Sequence, residues 1–514
     1  MTRPHGEGPN GDGGGGGSGH GPPYSDQRRE MLRAHHRQTL WVYWTLILLG
    51  AWTALAPFNF GYLNEELWVD PAGGRGVWFS PETHTALRAW LMTWSDLAAG
   101  LLLLVLGWRA LTPDRPVSLW LACGVGAWLS LAPLLFWAPV AAAYTNDTLV
   151  GMLVIALTVL IPGMPNMTLF MRMGGDQPPG WSYNPSSWPQ RWIMIATGFL
   201  GLLASRQVAV FQLGYVDQAW DPFFGQGSRL VLTSDMSRSL PVSDAALGTF
   251  AYTFEFLMGF MGSPARWRTM PWMVTFFGIL VIPLGLVHIF LVISQPVVVG
   301  QWCTLCLLAA AIMLPMIPLE VDEVVAMGQH LRRSKRRGER LWTVFWKGGD
   351  AEGSGQDVRS PELALLPRDP LHVLRAAVWG LSAPWTLVLS ALLGIGLMAT
   401  PAALELARPG SSLFQLGGAL IVVVAVVCMG EVLRPGRLLN VLLGLLVAVG
   451  PWLLSEQLAA QLTGAVAGAA VALLALPRGP IRERYGTWPV GPVGPAGGAP
   501  SEPPVPRRGA PVRV

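Results

Sequence analysis

Charge is scarce in this chain. Asp, Glu, Lys and Arg make up 13% of its 514 residues, against about a quarter in soluble domains. Apolar residues make up 52% and mean hydropathy is +0.42. These figures exclude an ordinary soluble domain and imply a polytopic membrane protein. Cysteine is scarcer still: four residues exclude a disulfide framework. The net charge of +4 is small for the length and falls in short Arg-rich segments, so it reports membrane orientation, not a nucleic-acid partner. The N-terminus lacks the apolar core and small-residue cleavage site of a signal peptide. No Cys/His cluster suggests a metal site. His5, His20, His35 and His36 read as solvated tail residues.

What is present is a series of apolar runs long enough to cross a bilayer. They lie at about 39–58, 87–107, 117–139, 148–164, 192–214, 242–262, 270–293, 296–318, 384–404, 413–433, 438–454 and 458–476. The expectation is an all-α polytopic membrane protein of about twelve transmembrane helices. With the N-terminus inside, every short basic segment falls on the inner side, including Arg109/Arg115, Arg266/Arg268 and Arg434/Arg437. The same count places both termini in the cytoplasm and the segment 215–241 outside.

The outer blocks carry an internal repeat. Gly-x6-Pro recurs as Gly50/Pro57, Gly126/Pro133, Gly394/Pro401 and Gly444/Pro451, each in the first run of a pair. In the first two pairs the second run opens with Asp-x3-Gly, as Asp96/Gly100 and Asp147/Gly151. Glycine permits close helix approach and the proline fixes an exit into the outer loop. These units resemble the SPW-repeat membrane family, whose signature reads here Ala-Pro-Phe, Ala-Pro-Leu, Thr-Pro-Ala and Gly-Pro-Trp. That family implies no defined chemistry, and the repeats read as a scaffold.

The division expected from composition is a disordered Gly-rich tail at 1–38, a repeat block at 39–165 and a central domain at 190–320. A basic cytoplasmic linker at 321–370, a second repeat block at 371–476 and a disordered Pro/Gly-rich tail at 477–514 follow.

Redox chemistry is written in one stretch, Gln301-Trp-Cys-Thr-Leu-Cys-Leu-Leu308. Two thiols three apart share a helix face and can close a small disulfide. The helix N-terminal field makes Cys303 the more thiolate-like. Zinc would need further ligands that are absent. The topology puts the pair at the outer, oxidising end of its helix. Cys123 and Cys428 lie in repeat helices without partners and read as inert.

Several further residues of the central domain invite roles. Asp244 reads equally as a helix cap and as a polar contact for a bound ring. Glu255 lies within a membrane run, where a carboxylate is expensive unless paired or relaying protons. His288 reads as a core histidine or a proton donor. Arg206 and Gln207 interrupt the first central run, which suggests a helix end followed by a lid at 208–214. Arg206 reads as a snorkelling interfacial residue, with Glu255 and Asp221 as the other candidate partners. Trp220 and the following Asp-Pro-Phe-Phe-Gly suggest an aromatic outer cap.

The central domain resembles the vitamin K epoxide reductase family. The features that carry this are four helices, a polar outer loop after the first, and Cys-x-x-Cys at the outer end of the fourth. The segment Ser228-Arg-Leu-Val-Leu-Thr-Ser234 is similar to the family's loop ahead of the second helix. Pro241-Val-Ser-Asp-Ala-Ala-Leu-Gly-Thr-Phe-Ala-Tyr252 is similar to that helix's start. The resemblance implies a thiol–disulfide oxidoreductase in which Cys303 and Cys306 are catalytic and border a quinone of menaquinone or ubiquinone type. Asp244, Tyr252, Glu255 and His288 are its candidate cofactor contacts. In a bacterial cytoplasmic membrane it implies oxidation of partner thiols. The chain departs from the pattern in its loop, which has no cysteine: Ser228 and the neighbourhood of Trp220 occupy the shuttle positions. An exported thioredoxin-like protein would then supply the thiols. The alternative is a non-catalytic module that keeps the fold for quinone or lipid binding or for assembly.

Overall fold

The computed structural model describes residues 33–72, 85–113, 115–161, 176–240, 242–351, 354–357, 359–361 and 369–489. The first 32 residues, the last 25 and residues 362–368 lie outside the described residues, and with them most of both expected tails.

The described residues are mostly helical, with one short antiparallel pairing of Asp176–Gln177 with Gly355–Gln356. Among the described residues eleven helices are long and apolar enough to cross a membrane. The first block holds α1 (Leu40–Asn59), α2 (Thr85–Ala110), α3 (Pro116–Leu135) and α4 (Ala141–Val159). The central domain holds α5 (Trp188–Gln212), a short α6 (Gly227–Leu232), α7 (Asp244–Phe260), α8 (Pro271–Val298) and α9 (Thr304–Arg336). The last block holds α10 (Trp385–Ala403), α11 (Gly410–Val427), α12 (Arg434–Leu454) and α13 (Leu458–Ala475). With 17 residues, α7 is at the short end of what spans a bilayer and lies between α5, α8 and the first block. It stands at the remaining one of the about twelve expected spans, but is not among the eleven.

The repeat is structural as well as sequential. Each pair, α1/α2, α3/α4, α10/α11 and α12/α13, packs as a hairpin around one glycine–glycine approach. A Cβ placed on Gly50 would stand 2.8 Å from the Gly100 carbonyl oxygen. On Gly126 it would stand 2.9 Å from that of Gly151, on Gly394 2.7 Å from that of Gly418, and on Gly444 2.6 Å from that of Gly468. Lipid tails offer helices no hydrophobic drive to associate, so this backbone proximity supplies the packing. In the first block the two aspartates of the repeat come within electrostatic range of each other: Tyr62 donates to Asp96 at 2.9 Å and Asn146 donates to Asp147 at 3.1 Å.

Three expectations are corrected. The first central helix does not end at Arg206 but runs on to Gln212. Arg206 reaches neither Glu255 nor Asp221; it donates to Thr148 at 2.9 Å and to Thr145 at 3.3 Å and lies over the Tyr144 ring, so α4 satisfies its charge without a helix break. The fourth central helix starts at Thr304, since Pro296 belongs to α8. It then continues through the expected linker to Arg336, with Glu320, Asp322 and Glu323 buried.

The basic segments between helices are bonded within the protein. Arg191 donates to the carbonyls of Gly259, Met261 and Gly262, and Arg434 to those of Cys428, Ser382 and Met429. These carbonyls end helices or lie in the loops between them and would otherwise lack donors. Residues 477–489, expected as tail, close the same layer: Glu431 accepts from the backbone N–H groups of Arg482 and Glu483 and from the Tyr485 hydroxyl. At the other end, residues 33–38 are helical, and the His36 ring pairs with the Leu111 carbonyl at 3.1 Å.

Candidate functional site

The Cys-Thr-Leu-Cys motif opens α9. Cys303 is its N-cap and the chain turns into helix at Thr304. Cys303 and Cys306 are joined in a disulfide with Cα atoms 5.2 Å apart, the distance i and i+3 provide at a helix start. The Cys306 backbone N–H points at the Cys303 sulfur, 3.3 Å away. After reduction that N–H and the helix terminus favour a thiolate on Cys303 over one on Cys306.

Three polar contacts hold the motif. Gln295, near the end of α8, accepts from the Cys303 backbone N–H at 3.2 Å. Ser228, on α6, accepts from the Thr304 backbone N–H at 3.1 Å. The Thr304 hydroxyl donates to Asp221 at 2.6 Å. Asp221 also accepts from the backbone N–H groups of Phe224 and Ser228, at 2.9 and 2.7 Å. Desolvation pushes the Asp221 carboxyl up, but the hydrogen bonds from Thr304, Ser228 and Phe224 outweigh it and hold the group below its usual range. Gly227 lets the loop close: a Cβ there would meet the Trp302 carbonyl at 2.6 Å.

Under this loop Cys303 is 0% exposed, packed with Val208, Phe211, Val231 and Leu232, while Cys306 is half-buried. The aromatic cap is divided in its roles. Asp221 clasps the motif, whereas Trp220 and Phe223 are exposed, Phe223 at 78%, and do not cover the cysteines. A cavity of about 600 Å³ opens beside Trp220, lined also by Gln207, Asp221 and Arg229 among others, and neither cysteine lines it.

The four further candidates separate into three places. Asp244 stands in the first turn of α7, where Ser243 is the cap. It accepts from the Ala245 backbone N–H at 2.9 Å and from the Ser237 hydroxyl at 3.1 Å, so its role is in the loop-to-helix junction with Gln212. Tyr252 and His288 come together. The Tyr252 hydroxyl donates to the Ala309 carbonyl at 3.0 Å, with His288 Nδ1 3.4 Å away. Ala309 is three residues, about 4.5 Å along the axis, inward of Cys306. A π-turn at Leu280–Leu284, built around Pro283, precedes His288 in α8 and turns the following residues relative to a regular helix. His288 remains half-buried beside the exposed Leu284 and Val287. Glu255 lies deeper, 0% exposed, and neither carboxylate oxygen has a protein hydrogen-bond partner among the described residues.

Sequence reading did not single out Gln295 or Thr304, although a glutamine inside an apolar run was an available signal for the first. It also placed Asp322 and Glu323, buried on α9, in a linker. Among the described residues no group of three metal-ligating side chains occurs.

Residues 192–321 match the model of the Vitamin K epoxide reductase family. The match covers about a quarter of the chain and runs from the start of α5 to the middle of α9. The chain thus carries a domain of that family, set between two blocks of helical hairpins in an integral membrane protein. No curated protein and no solved structure matches the chain.

Proposed function

We propose that the central domain is a thiol oxidoreductase that passes electrons from an external dithiol, through Cys303 and Cys306, to a membrane quinone. The observation that carries this is the Cys303–Cys306 disulfide at the start of α9, inside a domain of a family associated with thiol and quinone redox chemistry. A thiolate of the external dithiol attacks the disulfide, and its second thiol resolves the mixed disulfide, leaving Cys303 and Cys306 reduced. Loss of two electrons to the quinone, the electron-accepting substrate, with release of the two thiol protons, restores the disulfide, and the reduced quinone takes up two protons to become the quinol.

The residues around the pair suit this division. Cys303 is held by Gln295 and the outer loop, on the side from which a soluble thiol protein arrives. Cys306 and the Tyr252–His288 contact lie inward of it, and the half-buried imidazole with a ring nitrogen fits a quinone carbonyl as hydrogen-bond partner. Because Cys303 is wholly covered, attack requires the Asp221–Thr304 clasp to open. The loop has no cysteine of its own, so the dithiol comes from a partner, for which an exported thioredoxin-like protein is the fitting class. The setting is a bacterial cytoplasmic membrane with both termini inside.

The test is thiol trapping in membranes with and without added quinone, beside Cys303→Ser and Cys306→Ser. Quinone-dependent, reversible disulfide formation supports the reading. Thiols inert to both quinone and oxidised partner leave a non-catalytic membrane module, the reading that the missing loop cysteines favour.

A further inference from the structure

The thiol chemistry leaves buried carboxyl groups unused, and they descend from the site toward the inner face. Glu255 stands one turn inward of Tyr252 on α7, about 17 Å from the helix's outer end; Glu320 is about 25 Å inward of Cys303 on α9. Both side chains are buried, and both Glu255 oxygens and Glu320 Oε1 have no protein hydrogen-bond partner among the described residues. The two groups lie within electrostatic range of one another, and Glu320 is also within range of Glu323, Arg266 and Arg191.

The inner end of this row reaches polar protein. Glu323 takes a two-pronged ion pair from Arg266, at 2.6 and 2.5 Å, and a 2.5 Å hydrogen bond from Ser186. Ser186 belongs to a polar segment with Asn184, whose backbone N–H donates to Asp357. The outer end reaches the Tyr252–His288 contact. Glu255 is sealed from lipid because α5 approaches closely: a Cβ on Gly198 would meet the Phe256 backbone nitrogen at 3.1 Å. A carboxyl group in membrane interior without a protein partner is costly unless it is protonated or hydrated, and such groups line proton relays.

We propose that Glu320 and Glu255 conduct protons from the inner face to the Tyr252–His288 contact, so that the redox reaction draws its protons from inside while releasing thiol protons outside. The inference rests on the thiol–quinone reading above. Its balance is as follows: each external dithiol that becomes a disulfide loses two electrons and two protons at the outer face. The two electrons pass through Cys303 and Cys306 to the quinone, and two protons travelling through Glu320 and then Glu255 complete the quinol. Two charges are thereby separated across the membrane per turnover.

The experiment uses the full chain in sealed liposomes containing a pH-reporting dye, with valinomycin and potassium to dissipate potential. A membrane-impermeant dithiol peptide is added outside, which selects molecules with the Cys303 end outward, together with a short-chain ubiquinone. Quinol formation and luminal pH are recorded in one sample. The expected result is luminal alkalinisation of two protons per quinol. Glu320→Gln and Glu255→Gln each reduce that uptake about tenfold or more, and Glu320→Asp restores part of it. Quinol formation at constant luminal pH overturns the route and leaves the thiol–quinone reading standing, as does full luminal uptake in both glutamine variants. Failure to form quinol at all overturns both. The wild-type luminal record decides the matter even where a variant does not fold.

Discussion

The Thr304 hydroxyl donates to Asp221 Oδ1 at 2.6 Å, and this contact ties the loop between α5 and α7 to the residue that follows Cys303. A hydrogen bond to a charged acceptor contributes about 1.5–3 kcal/mol when shielded, and less here because Asp221 is partly solvated. Asp221→Asn or Thr304→Val is expected to loosen the loop without unfolding the helices. Labelling of reduced Cys303 by a maleimide should rise several-fold while that of Cys306 changes little. Equal labelling of Cys303 in variant and parent would show that the clasp does not control access.

The same contact sets a pH dependence. Asp221 is held below its usual range when the loop is closed, so its contribution is complete above the range of a free aspartate. It is lost as pH falls through the lowered value of the closed state. Hydrogen exchange of residues 222–232 should therefore speed up on acidification in the parent, after correction for the intrinsic rate, and Asp221→Asn should abolish that dependence.

Ser228 stands 3.1 Å from the Thr304 backbone nitrogen, next to Cys303. In a Ser228→Cys/Cys306→Ser variant the new thiol should form an intramolecular disulfide with Cys303 under mild oxidation, detected as a shift in non-reducing peptide mass. Recovery of both thiols free would place the loop elsewhere.

The fold was legible wherever a requirement of the bilayer is local in sequence. Apolar runs gave the spans, and Gly-x6-Pro gave four hairpins because each first-helix glycine must meet a backbone carbonyl. The partners Gly418 and Gly468 were not legible, since Phe414 and Gly464 replace the aspartate that marked Gly100 and Gly151. The cysteine pair was legible by spacing. Its supports were not: Gln295, Ser228 and Asp221 are brought to Cys303 and Thr304 from three separate segments. Arg206 and Glu320 misled for one reason. A charge in an apolar run signals a boundary only if nothing nearby satisfies or uses it, and here α4 satisfies Arg206 while α9 continues through Glu320.

The hairpin glycines give a structural prediction. Gly394→Val places a side chain 2.7 Å from the Gly418 carbonyl and close to Val422, so the helices must part. Overpacking of this kind costs about 1–3 kcal/mol or more, and thermal unfolding in detergent should begin several degrees lower. Glycine 396, whose Cβ would meet no atom within 4 Å, is the matched control, and Gly396→Ala should leave the transition in place.

The buried pair Arg266–Glu323 gives another. Both side chains are almost fully enclosed, so Arg266→Met leaves an uncompensated carboxylate and should cost about 3–5 kcal/mol. The double variant with Glu323→Leu should recover much of that loss. A double variant no more stable than Arg266→Met would show that the other contacts of Arg266, with the Met258 and Met261 carbonyls, dominate.

The most direct measurement is the redox state of Cys303 and Cys306 in native membranes, followed by alkylation and mass shift as quinone is added and withdrawn. The account predicts a reduced pair when a dithiol is supplied without quinone, a disulfide when quinone is restored, and no shift in Cys303→Ser/Cys306→Ser. A pair that stays in one state under every combination of dithiol and quinone would contradict it.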